Sequence, residues 1–308
     1  MESLRRKRNN NNNNNTRRLK YKKGPLPFVL PDSETGSNLI SHLNAEHTAG
    51  RGIFSFLKKN NISALRATSK HLHNNIKKHY KGEKFYRITG SLKSWRDANP
   101  NAVLANISNR TDITDEDFQY LKGIVSLNME GCTQITDAAF EHLRGIKELN
   151  MEGCTQITND AFENLKGIIS LDIGDCTQIT DDAFEHLKGI HTLFMERCTG
   201  ITDEGFKNLK GIHTLFMGGC TQIKDDAFEN LTGIDTLDVT NCTQLTDIAF
   251  KHLKGIKQLS VGGCTNRRFT GKTIETIKDS IEEIEMSGCR IDTIVKIVNI
   301  FSKISINF

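Results

Sequence analysis

Long apolar runs are missing from this 308-residue chain. No stretch approaches the roughly 20 consecutive apolar residues that span a bilayer, so no membrane-spanning helix is expected. The most apolar run, "IVKIVNIFSKISINF", is broken by Lys296 and Lys303 and reads as a cover over a core. The basic N-terminus has no apolar stretch behind it, so no secretory signal is expected. Catalytic signatures are missing too: there is no Walker loop, nucleophile elbow, H-E-x-x-H or strand-linked G-x-G-x-x-G. Cysteine pairs of the C-x-x-C kind, which close structural metal sites, do not occur. These absences argue against an enzyme and against a bound metal or cofactor, and the expectation is that the chain has none of them.

Charge is present but divided. Residues 1–23 carry nine Lys or Arg against Glu2, a net +8, so the rest of this +4 chain sums to −4. With seven consecutive asparagines and almost no apolar residues, "MESLRRKRNNNNNNNTRRLKYKK" cannot bury enough surface to offset chain entropy. It is expected to be a solvated, disordered tail. Nucleic acid is not an expected partner, although "RRKR" has the composition of a nuclear-entry signal.

What the chain has in abundance is repetition. Residues 113–266 divide into seven units of 22 residues, with a looser unit after them and a weaker one around 91–112. "GIVSLNMEGCTQITDAAFEHL" is followed by "GIKELNMEGCTQITNDAFENL" and then by "GIISLDIGDCTQITDDAFEHL". Within a unit, Leu127 and Met129 are two apart, as on one buried face of a strand. Thr136 and Asp137 then offer oxygens to cap a short helix, whose Phe140 and Leu143 share one side. Gly145 closes that helix, where a left-handed residue is commonly required. The residue before each Phe is small in six successive units (Ala139, Ala161, Ala183, Gly205, Ala227 and Ala249), as close helix approach requires. All eight cysteines (132, 154, 176, 198, 220, 242, 264 and 289) fall in one slot of the repeat. Spaced a whole coil apart, they read as a reduced, inward-facing structural ladder.

The pattern C-x-x-I-T-D-x-x-F-x-x-L resembles the cysteine-containing subclass of leucine-rich repeats. The resemblance implies an α/β solenoid with parallel strands on the concave face and short helices on the convex face. The units are shorter than is usual in that subclass, which implies an abbreviated helical side. Upstream, "IFSFL" followed by "ISALRATSKHLH" resembles the F-box, an all-α module. Its opening Leu-Pro lies far upstream here, at Leu26-Pro27 or Leu30-Pro31. The expected organisation is a tail at 1–23, an F-box-like module at 24–90, repeats at 91–290 and a C-terminal cap at 291–308.

An F-box followed by such repeats resembles the substrate receptors of cullin-RING ubiquitin ligases. The resemblance implies an intracellular, cytoplasmic protein that contacts a Skp-type adaptor through Ile53, Phe54, Phe56, Leu57 and Leu65. The concave face would then hold a protein substrate. On that face the residue between two inward positions is Asn128, Asn150, Asp172, Phe194, Phe216, Asp238, Ser260 and Glu285 in turn. Two adjacent phenylalanines stand out, and an exposed aromatic pair is the composition of an interaction hot spot. With His191, Glu196, Arg197 and His213 around them, Phe194 and Phe216 are the expected substrate contacts. A binding scaffold with no ligase connection is the alternative.

Overall fold

The computed structural model describes residues 87–300 and 305–307. The adaptor-contact candidates Ile53, Phe54, Phe56, Leu57 and Leu65 therefore lie outside the described residues. Ten short strands pair in sequence order into one parallel sheet. They are β1 (Leu104–Asn106), β2 (Ser126–Asn128), β3 (Glu148–Asn150), β4 (Ser170–Asp172), β5 (Thr192–Phe194), β6 (Thr214–Phe216), β7 (Thr236–Asp238), β8 (Gln258–Ser260), β9 (Glu283–Glu285) and β10 (Ser305–Asn307). Register follows the repeat: Leu127 pairs with Leu149, Leu149 with Leu171, and so on to Leu259 with Ile284. The three extra residues of the eighth unit are absorbed before β9, and register is kept.

Between strands the chain returns through short 3-10 helices, such as Asp137–Leu143 and Asp181–Leu187. A 22-residue coil leaves few residues for the return. The 3-10 helix advances about 2.0 Å per residue against about 1.5 Å for the α-helix, so it spans the gap with fewer. True α-helices occur only toward the two ends of the described solenoid: α1 (Leu92–Ala98) before β1, and α2 (Ile291–Ile300) after β9. Against the final coil, Ile297 of α2 is fully buried and Thr293 Oγ1 donates to Phe269 O at 3.1 Å.

One core runs the length of the stack. Phe118, Phe140, Phe162, Phe184, Phe206, Phe228, Phe250 and Phe269 are all essentially inaccessible to solvent. The small residues before six of them are also buried, which lets successive coils approach. A Cβ added at Gly205 would lie 2.8 Å from Asp181 Oδ1, so this coil is packed tighter than its neighbours. Gly145 has φ +89°, as a helix-closing residue requires.

The eight cysteines are unpaired thiols, seven buried and Cys289 partly so. Each Sγ donates to a backbone carbonyl of the preceding coil, for example Cys154 to Met129 O at 3.2 Å and Cys198 to Ile173 O at 3.1 Å. Burial pushes the thiols up, Cys176 and Cys220 to about 12, so they stay protonated and available as donors. A second ladder runs along the opposite side of the coils. Asp137 does not cap its own helix as expected; it accepts from both Thr158 N (2.8 Å) and Thr158 Oγ1 (2.6 Å) in the next coil. Thr158 Oγ1 in turn accepts from Asp160 N and caps the helix that follows. The Thr-Asp pair is thus a clamp between coils as well as a cap.

Candidate binding face

The outward face of the sheet is built from the strand residues between the inward leucines and methionines. Its register is that of the backbone, so side chains one coil apart stand about 4.8 Å from each other. Most of the central row is committed to the turn after each strand. Asn128, Asn150, Asp172 and Asp238 each use Oδ1 to accept the N–H two residues on, at 2.9, 2.9, 3.1 and 2.7 Å. Glu285 does the same for Ser287 at 2.7 Å. These residues were expected simply to face solvent; the side-chain-to-backbone bond, a common device of Asn and Asp, was not anticipated.

Phe194 and Phe216 interrupt that row. Their rings stack with centroids 4.8 Å apart and an interplanar angle of 13°. The pair is less exposed than expected: Phe194 is half-buried and Phe216 only 9% exposed. Stacked rings cover each other's faces, which accounts for part of that burial. His191 and His213, one row toward the strand starts, also stack, at 5.2 Å. His213 Nδ1 lies 3.0 Å from Asp235 Oδ2, and Lys257 Nζ lies 2.9 Å from Asp235 Oδ1. Burial pushes the Asp235 carboxyl up, but the bonds from His213 and Lys257 prevail and hold it below the usual range. Sequence reasoning missed Asp235, although its slot one coil beyond His213 marks it.

Glu196 sits half-buried beyond the phenylalanines, and Arg197 is exposed. Arg197 has φ +61°, in a slot that is glycine in most coils. For a side chain of this kind the left-handed region costs about 1–2 kcal/mol. Its guanidinium forks onto both carboxylate oxygens of Asp175, and Nη2 lies 4.0 Å from Glu152 Oε1. Arg197 is therefore neutralised within the face. The carboxylates of Asp172, Asp238, Glu152 and Glu196 also lie around the phenylalanines. Burial pushes the Asp238 carboxyl up against the pull of its Thr240 bonds.

At the strand-start row, burial pushes the Glu148 carboxyl up to about 7, opposed by a hydrogen bond from Ser126. Ser170, its neighbour in register, has a buried Oγ with no hydrogen-bond partner among the described residues. No group of three or more His, Cys, Asp or Glu among the described residues could hold a metal ion. No helix among them is long and apolar enough to cross a membrane.

The repeat family described as the BspA type leucine rich repeat region matches residues 111–235 in six copies. The fold is a leucine-rich-repeat solenoid. No curated protein matches the chain. Among solved structures, the yeast Rad7–Elc1 complex aligns at 12% identity, covering 84% of this chain and 96% of that one, with a TM-score of 0.34. The TLR13–ssRNA13 complex aligns at 16% identity over 67% of this chain and 34% of that one, with a TM-score of 0.49. The Drosophila Toll–Spatzle complex aligns at 12% identity over 72% and 38%, with a TM-score of 0.43. Leucine-rich repeats are scaffolds for protein–protein interaction, and the sheet face is where this solenoid varies from coil to coil.

Proposed function

We propose that this chain is the substrate-holding subunit of a cullin-RING ubiquitin ligase. Two halves make up the reading. The recognition half is carried by the sheet face, where His191, Phe194, Glu196, Arg197, His213 and Phe216 lie on the two adjacent coils of β5 and β6. The interior of these same coils repeats almost without change, so packing does not account for the variation. A surface that varies on an invariant frame suits a protein partner.

The ligase half is supported by sequence order. "IFSFL" and "ISALRATSKHLH" precede the repeats, and the F-box likeness makes Ile53, Phe54, Phe56, Leu57 and Leu65 the contacts to a Skp-type adaptor. In this division of labour the chain positions a substrate and other subunits transfer ubiquitin, so it needs no catalytic residue and no cofactor of its own.

The displaced Leu-Pro favours the second reading, a binding scaffold with no ligase connection. Capture of a purified Skp-type adaptor by the full chain separates the two. The ligase reading expects capture that Leu57→Asp abolishes while the circular dichroism of the solenoid is unchanged. Failure of the unmodified chain to capture the adaptor leaves the scaffold.

A further inference from the structure

Charge is sorted by position around each coil. The second residue of the return helix is Glu116, Asp160, Asp182, Glu204 and Asp226 in five of the first six coils, and all five are exposed. Within two residues of the other end of the first five helices stand Lys122, Arg144, Lys166, Lys188 and Lys210, also exposed. Lys254 continues that column after a gap at Thr232. Six residues of 3-10 helix rise about 12 Å, so the acidic and basic columns run along opposite rims of the convex side. Among the described residues these six cations form no ion pair, and of the five acids only Glu204 does, with Lys207.

Acid at a helix start and base at its end suit the helix dipole, which favours each charge singly. Stacking then gives every charge like neighbours one coil away, and these repel. An opposing row of charge relieves that repulsion, and spacing selects the row. Both columns are built on the same coil, so they share one period. The acidic rim of one copy therefore meets the basic rim of another charge for charge, whereas a polymer of different rise drifts out of register. We infer that this chain associates side by side with further copies of itself. Arg144, Lys166, Lys188 and Lys210 of one copy would lie along Asp160, Asp182, Glu204 and Asp226 of the next. The two rims are different surfaces, so the contact is heterologous and extends into rows instead of stopping at a pair. Exposed ion pairs are individually weak and screened by salt, so the association depends on several coils acting together. It leaves the sheet face open.

Sedimentation velocity of the full chain over a concentration series tests this at about 0.01 M salt, where screening reaches about 30 Å, and at about 1 M, where it reaches about 3 Å. The average mass is expected to rise with concentration past that of a dimer at low salt, and to stay that of the monomer at high salt. Arg144→Glu, Lys166→Glu and Lys188→Glu combined are expected to leave a monomer at low salt, as are Asp160→Lys, Asp182→Lys and Asp226→Lys combined. Each of these variants keeps one native rim, so an equimolar mixture of the two is expected to associate again, which also shows that both are folded. Glu275→Lys, Asp279→Lys and Glu282→Lys combined make the same change in net charge outside the matched coils and are expected to leave association in place.

A monomeric unmodified chain at low salt, indifference to either rim reversal, a mixture that stays monomeric, or equal loss in the net-charge control overturns the inference. The nine Lys and Arg of residues 1–23 are a rival for the acidic rim, so the series is repeated with Arg5, Arg6, Lys7 and Arg8 changed to Gln. Association lost there but kept on reversal of the basic rim assigns the acidic rim to the tail and overturns the inference. A chain that stays monomeric yet retains a single-stranded oligonucleotide through its basic rim overturns it as well, and gives that rim to a polyanion.

Discussion

The interior of the solenoid and its sheet face obey opposite rules. Inside, one Phe, one Cys and two Leu recur in each of the central coils, because every coil meets the same neighbour in the same way. On the face, the central row changes from Asn to Asp to Phe to Asp, although each residue sits on a strand of identical register. The difference shows what stacking constrains. It fixes whatever lies between coils and leaves the outward row free, so that Phe194 and Phe216 stand where other coils carry a turn-accepting Asn or Asp.

The comparison is broken most severely by opening the interior. Phe184→Ala removes a fully buried ring between Phe162 and Phe206 and is expected to cost about 3–5 kcal/mol. Thermal unfolding followed by circular dichroism reads the loss, and a change below about 1 kcal/mol would mean that neighbouring coils collapse into the space. Next comes the thiol ladder. Cys198→Ala removes the thiol donor to Ile173 O, which keeps its bond from Cys176 N, and is expected to cost about 0.5–1.5 kcal/mol. Cys198→Ser keeps a donor and should lose less, and equal losses would show that the thiol acts by volume and not by its hydrogen bond.

A smaller effect belongs to the face. Because the folded-state pKa of Glu148 is raised to about 7, the folded chain holds a proton that the unfolded chain releases above its ordinary value of 4.5. The contribution of Glu148 to stability is therefore fully present below about 4.5 and is lost as pH rises through about 7. Glu148→Gln should flatten this part of a melting-temperature profile, and an unchanged slope would assign it to other groups. The smallest change is expected at Arg197→Gly. Relief of the left-handed backbone offsets the lost Asp175 pair and the added chain freedom of glycine, for a net of about 0.5 kcal/mol or less. A large loss on denaturation would make Arg197 part of the frame and not of the face.

Much of this was legible without coordinates. The 22-residue period, the inward Leu and Met, the small residue before each Phe and the cysteine slot all follow from periodicity, because each coil repeats the same packing problem. The aromatic pair was legible as well, since equal slots one period apart must be neighbours. Its burial was not, because exposure depends on what surrounds a ring and not on its slot. The 3-10 form of the returns was only implied by the short unit. The Asp137–Thr158 clamp was hidden because both residues also satisfy a helix-capping pattern.

Sequence alone determined the architecture, since a strict repeat of apolar positions admits one way of stacking and one register. Only the tertiary structure decided how the polar groups are spent. It turned Asn128 and Asn150 onto their own turns, bound Arg197 to Asp175, and set Asp172 and Asp238 beside the two rings. Apolar burial follows a pattern that can be counted along the chain, whereas hydrogen bonds and ion pairs are directional and depend on which donor lies within reach across the coils.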